Sequence, residues 1–152
     1  MSMRENDMSG ARARRVEPLR DLGQVEALRT ASWHTAEVRL RSGVVDRLMV
    51  AQTLVPRALR FLIVAGHRRS TMAGPCPHGH ATGGAVDLTA YVDGSAEPVL
   101  WSAAPPPEWP AVASALGSVG MVNGGPWWHW SFGDARWCDH VGGSAPLYDA
   151  IV

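Results

Sequence analysis

At 152 residues and 16.3 kDa the chain is long enough for one domain with a real core, because a domain of this size buries roughly 70% of its unfolded surface and needs no covalent staple. Hydrophobic content of 46% and charged content of 18% exclude the disordered and membrane-spanning classes. The 14 basic and 14 acidic residues cancel, which excludes a long-range field drawing in nucleic acid or an anionic bilayer. All 14 basic residues are arginine, so Schiff-base chemistry and a lysine general base are excluded too. The alanine, glycine and arginine bias points to a GC-rich bacterial genome. Two cysteines, Cys76 and Cys138, are too few for a disulfide scaffold and suit a reducing cytoplasm.

Residues 1–17 are polar and carry arginines and acids without apolar periodicity. They read as a loose arm without a secretion signal, and a cytoplasmic location is expected. Residues 18–152 form the expected single domain. Val44, Val45, Leu48, Met49, Ala51 and Val55 recur at helical spacing until Pro56 stops the pattern. "LRFLIVAG" (59–66) is a continuous apolar run expected to form a strand buried on both faces. "GGAVDLTAYVDG" (83–94) predicts a second strand, entered by two glycines and left through Asp93-Gly94. A second helix is expected from about Glu108–Pro110 to Gly120, with proline in its first turn and glycine after its end. "WWHWSF" (127–132) predicts an aromatic strand, and Gly133-Asp134 the turn after it. The expected fold is α+β, a small antiparallel sheet bearing the metal residues with helices packed on one face.

The chemistry concentrates in "HGHATGGAVD" (78–87) and "PWWHWSFGD" (126–134). His80 and Asp87 stand seven apart, an offset that places them on opposite faces of a straight strand, but Gly83 and Gly84 allow a sharp turn that brings both to one point. With His129 they make an imidazole, carboxylate and imidazole set that holds zinc and leaves a fourth position open.

These two stretches resemble the zinc D-alanyl-D-alanine dipeptidases of the vancomycin-resistance type, relatives of D,D-carboxypeptidases and of the hedgehog signalling domain. His80, Gly83, Ala85 and Asp87 fall in register with the family's Ser-x-His-x-x-Gly-x-Ala-x-Asp pattern. His129 falls in its Glu-x-Trp-His pattern, followed by an aromatic residue and Gly-Asp. The resemblance implies His80, Asp87 and His129 as zinc ligands. "GHRR" matches the family's Gly-Tyr-Arg-Pro and implies Arg68 as a substrate-binding and transition-state arginine. It implies a small-molecule or dipeptide-like substrate, while the balanced charge favours neither nucleic acid nor membrane as partner.

Three departures shape the expected function. Pro126 stands where the family has the glutamate that moves the proton, and loss of such a group costs a factor of about 10² to 10⁴. About a dozen residues separate Arg68 from His80 where the family inserts a longer lid-like segment. His78 replaces the family's serine and would share a face with His80 in an extended segment; it stands as a fourth ligand, a substitute catalytic group or a bystander. The expectation is therefore a repurposed zinc enzyme performing cyclisation, elimination or related Lewis-acid chemistry on a small amino-acid-derived molecule in specialised metabolism. An active D,D-dipeptidase or amidohydrolase, with His78 or Asp134 as base, and a non-catalytic zinc module are the alternatives. Trp127, Trp128 and Trp130 are mostly core, but strand alternation leaves at least one facing the pocket, which makes Trp127 and Trp128 candidate substrate-binding residues. A separate thiolate site from Cys76, His78, Cys138 and His140 lacks the usual two-residue ligand spacing.

Overall fold

A computed structural model describes residues 17–32, 37–68, 77–98 and 104–151, with backbone alone at 77 and 78. The expected 1–17 arm and Cys76 therefore lie outside the described residues, apart from Glu17. The elements in chain order are β1 (Leu19–Asp21), a short 3-10 turn (Leu22–Gln24), β2 (Arg29–Thr30), β3 (Arg39–Arg41), α1 (Ser42–Thr53) and β4 (Leu59–Ala65). They continue with α2 (Pro77–Ala81), β5 (Ala85–Val92), α3 (Trp109–Ser118), β6 (Val122–Asn123), β7 (His129–Ser131) and α4 (Ala135–Val141). No helix among the described residues is long and apolar enough to cross a membrane.

The main sheet has five strands in the order β2-β4-β5-β7-β6. Three of its pairings are antiparallel, but β2 runs parallel to β4, with Arg29 beside Leu62 and Thr30 beside Ile63. The sheet is thus mixed rather than wholly antiparallel. A two-residue strand has no period by which the sequence announces it, and its direction follows from the long connection through β3 and α1.

Alternation along the strands separates two faces. Leu59, Phe61 and Ile63 of β4, with Val86, Leu88 and Ala90 of β5 and Trp130 of β7, join the main core. Val44, Val45, Leu48 and Ala51 of α1 and Val112, Ala115 and Leu116 of α3 pack into that same core. Leu62 and Val64 face the other way and join Ala31, with Tyr91, Trp127 and Trp128 packed against them. Asp87 and His129, each one residue out of phase with the core positions, lie on this second face, opposite α1 and α3.

The expected helices and the two long strands coincide with α1, α3, β4 and β5 to within two residues, except that β5 begins only after the glycine pair. The aromatic strand is shorter than its composition suggests. It begins at His129, while Pro126–Trp128 form a turn closed by the His129 N–H donating to the Pro126 carbonyl at 3.0 Å. Tryptophan's strand propensity loses here to the turn that Gly124, Gly125 and Pro126 impose. The segment carrying His80 is helical, not extended, so positions 78 and 80 do not share a face in the way an extended segment would require. Proline in the first turn fits that helix.

Candidate metal centre

Three elements place the three candidate ligands. Asp87 and His129 are directly opposite each other in the antiparallel pairing of β5 with β7, so their side chains rise from the same face as neighbours. Between Ile63 and Ala65 the β4 register shifts, leaving Ala65 beside Asp87, and Gly66 directly follows the end of that strand. His80 comes from α2, which the Gly83-Gly84 turn folds back over β5. Gly83 has a φ of +75°, and an added Cβ there meets Leu19 Cδ2 at 2.6 Å; at Gly84 it meets the Phe132 carbonyl oxygen at 2.5 Å. Only glycine permits this reversal.

Arg41, which no motif singles out, clamps the same turn. Its Nε donates to the Thr82 carbonyl at 2.8 Å, its backbone N–H to the Gly83 carbonyl at 2.9 Å and its Nη2 to the Asp149 carbonyl at 3.0 Å. The C-terminal segment and the reversal after His80 are thereby tied to β3.

The potential ligand atoms of His80, Asp87 and His129 lie within 4.8 Å of one another. His129 Nδ1 is 2.8 Å from Asp87 Oδ1, and His80 Nε2 is 3.2 Å from the same oxygen. All three residues are buried, His80 and Asp87 completely. His80 Nδ1 donates to the Gly66 carbonyl at 2.8 Å, which in a neutral imidazole leaves Nε2 as a lone pair aimed at a carboxylate oxygen. Either a proton on Nε2 or a metal cation between the two atoms joins this buried pair. A backbone carbonyl that fixes the tautomer of a ligating histidine is also the usual outer support of a metal site. The donor set therefore fits a divalent ion; imidazole and carboxylate together suit zinc.

Arg68 adds a further support. Its Nη2 donates to Asp87 Oδ2 at 3.1 Å, and its backbone N–H donates to the His80 carbonyl at 3.1 Å. The guanidinium proposed from the motif as a substrate contact thus bonds the carboxylate of the metal set, a pairing between residues 19 apart that sequence spacing does not reveal.

In the metal-free protein burial alone would raise the Asp87 pKa, but hydrogen bonds from His129 and His80, and their charge, outweigh it and hold the carboxyl at about 2 against its ordinary 3.8. A carboxyl whose pKa is lowered by folding stabilises the fold above its unfolded pKa, and that stability is lost as pH falls through the folded value. Chelator-treated protein is accordingly expected to lose roughly 2 kcal/mol between about pH 4 and pH 2, a loss that denaturant titration across that range detects and that Asp87→Asn removes.

Gly124 sets the far side of His129. An added Cβ at Gly124 comes within 2.4 Å of His129 Cδ2 and 3.1 Å of Nε2. Asp87 holds the ring's other edge at 2.8 Å, so a shift of the ring strains that bond. Gly124→Ala is expected to cost about 1–3 kcal/mol and to weaken metal binding about tenfold or more, as read by thermal denaturation and by competition with a chromophoric chelator.

The remaining candidates fall elsewhere. Trp127 packs edge-on against Trp109, with ring centroids 4.8 Å apart, and against Trp128 at 5.4 Å; both also pack on the second apolar cluster. Neither lines the cavity of about 450 Å³ that reaches His129. That cavity is walled by Asp134, Arg136, Tyr148 and the α2 turn. Asp134 is the N-cap of α4, accepting from the Trp137 N–H at 2.9 Å through Oδ1, while Oδ2 lies against Gly79. Its turn-forming role is therefore a helix cap. Cys138 is a buried free thiol and His140 is exposed. The side chain of His78 lies outside the described residues, and with it the choice among ligand, base and bystander. No protein-family model matches the chain, and no curated protein matches it.

Proposed function

We propose that the chain binds one divalent ion, zinc by the nature of its donors, through His80, Asp87 and His129, and works as a Lewis-acid enzyme on a small amino-acid-derived molecule. The reaction class is cyclisation, elimination or a related step in bacterial specialised metabolism. The observation that carries this reading is the convergence of the three donor atoms in a buried site, with the His80 tautomer set by Gly66. The resemblance to the D,D-peptidase family supports the same ligand set. Three protein donors leave room for an exogenous group, and a cavity of small-molecule size meets one of them.

Bound there, zinc supplies polarisation of a carbonyl, carboxylate or amide oxygen. The chain's own groups do the rest. His80 and His129 present ring nitrogens, Asp87 contributes the negative charge, and Arg68 holds the second carboxylate oxygen so that the first stays aimed inward. Pro126 carries no titratable group, so no proton moves through the position where the related hydrolases have their glutamate.

A working amidohydrolase is the second reading, and Asp134 favours it: a buried carboxylate on the wall of the cavity that His129 also lines. Asp134→Asn keeps a capping oxygen and removes the base, so loss of any D-Ala-D-Ala turnover in that variant would select this second reading. The primary reading is tested on cobalt-substituted protein. Visible bands of a four-coordinate site that shift on adding azide indicate a coordination position open to exogenous ligand. Bands indifferent to azide indicate a closed, structural site and refute the enzymatic proposal.

A further inference from the structure

The cavity of about 450 Å³ reaches His129, yet His129 is only 1% exposed, so a molecule larger than water meets its ring only when a wall moves. The walls differ in how firmly they are held. The α2 turn is fixed by Arg41 at the Thr82 and Gly83 carbonyls, and by Thr82 Oγ1, which donates to the Gly79 carbonyl at 2.7 Å. Helix α4 is capped by Asp134, and its Trp137 packs on Phe132 with ring centroids 4.9 Å apart. The third wall is the segment after α4, which contributes Pro146, Tyr148, Asp149 and Ala150. It belongs to no helix or strand among the described residues. Ser144 and Ala145 are exposed and make no hydrogen bond there.

Tyr148 is the one buried residue of this segment. An added Cβ at Gly133 would meet its ring at 2.4 Å, and one at Gly84 at 3.1 Å. The ring therefore fills a slot that two glycines, one before β5 and one after β7, leave open. Its hydroxyl donates to the Glu17 carboxylate at 3.2 Å, which also accepts from Ser42 Oγ at the start of α1. The Leu147 and Tyr148 N–H groups donate to the Gly133 carbonyl at 2.8 and 3.0 Å, and the Ile151 N–H to the Ala81 carbonyl at 2.7 Å. One inserted ring and a few bonds beside solvent put this wall at the low end of local stability.

We infer that residues 144–151 are the gate of the cavity, hinged at Ser144 and Ala145 and latched by Tyr148, and that withdrawal of the latch opens the way to His129. What the gate admits rests on the metal-centre reading, whereas its movement does not.

The test follows two rates in chelator-treated protein. One is amide hydrogen exchange at Leu147, Tyr148 and Ile151; the other is modification of His129 by diethyl pyrocarbonate, mapped by mass spectrometry, with the exposed His140 as reference. The three amides are expected to exchange together and faster than those of β4 and β5, and His129 to react more slowly than His140. Tyr148→Phe keeps the ring and loses the bond to Glu17. It is expected to raise both the gate exchange and the His129 reaction by about five- to tenfold, the worth of one such bond, while β4, β5 and His140 keep their wild-type rates. Gate amides that exchange only with the core, His129 reacting as fast as His140, or a Tyr148→Phe variant in which either rate fails to rise overturns the gate. Zinc content is read on untreated samples. Coupled rates in a protein without zinc defeat the metal reading alone, and uncoupled rates in a protein with zinc defeat only the gate.

Discussion

Asp87→Ala is expected to remove stoichiometric metal and to destabilise even the metal-free protein by roughly 3 kcal/mol. The carboxylate is completely buried and receives three side chains: His129 at 2.8 Å, His80 at 3.2 Å and Arg68 at 3.1 Å. Deleting it leaves a cation and two imidazoles without their common partner, and an unpaired buried polar group costs more than the pair contributes. Asp87→Asn separates the two effects. The amide keeps the shape and one acceptor oxygen, so the stability loss shrinks, but it lacks the charge that holds a divalent ion and metal is lost all the same. Equilibrium unfolding of chelated protein gives the first quantity and elemental analysis the second. Wild-type metal content in Asp87→Ala would remove the carboxylate from the ligand set.

Pro126→Glu is the second large effect. If the proposed peptidase ancestry holds and absence of the proton carrier is all that blocks hydrolysis, the glutamate should raise D-Ala-D-Ala cleavage by about 10² to 10⁴ over wild type. The backbone is suited to the exchange, because the position uses its carbonyl rather than its ring: the Pro126 oxygen accepts from the His129 N–H and from Asn123 Nδ2. Both bonds survive substitution. Turnover measured with zinc-loaded protein decides the matter. An inert variant that still binds zinc would place the obstacle in the shape of the cavity and not in the missing base.

The three residues that converge as a possible metal group were legible because each lies in a compact motif whose glycines or aromatic neighbours constrain it. The double glycine explained how His80 and Asp87 meet despite an odd spacing, and Gly83 at φ +75° performs that reversal. Long apolar or periodic segments announced β4, β5, α1 and α3 for the same reason. Elements without room for a period stayed hidden: β2 and β6 have two residues each, and α2 has five. In α4 the signals were present, with Asp134 as N-cap and Gly142 at φ 72° after the last turn, but a seven-residue helix offers little apolar periodicity to connect them. Partners distant in sequence were not legible at all. Nothing in "GHRR" indicates that Arg68 bonds Asp87, and nothing in "RLRS" that Arg41 holds the turn after His80.

The central proposal is one ion held jointly by α2, β5 and β7. Elemental analysis of protein purified without chelator, compared with His80→Ala and His129→Ala, tests it most directly. One zinc per wild-type chain is expected, and none in either variant after dialysis. Wild-type protein without stoichiometric metal, or variants that retain it, would contradict the assignment.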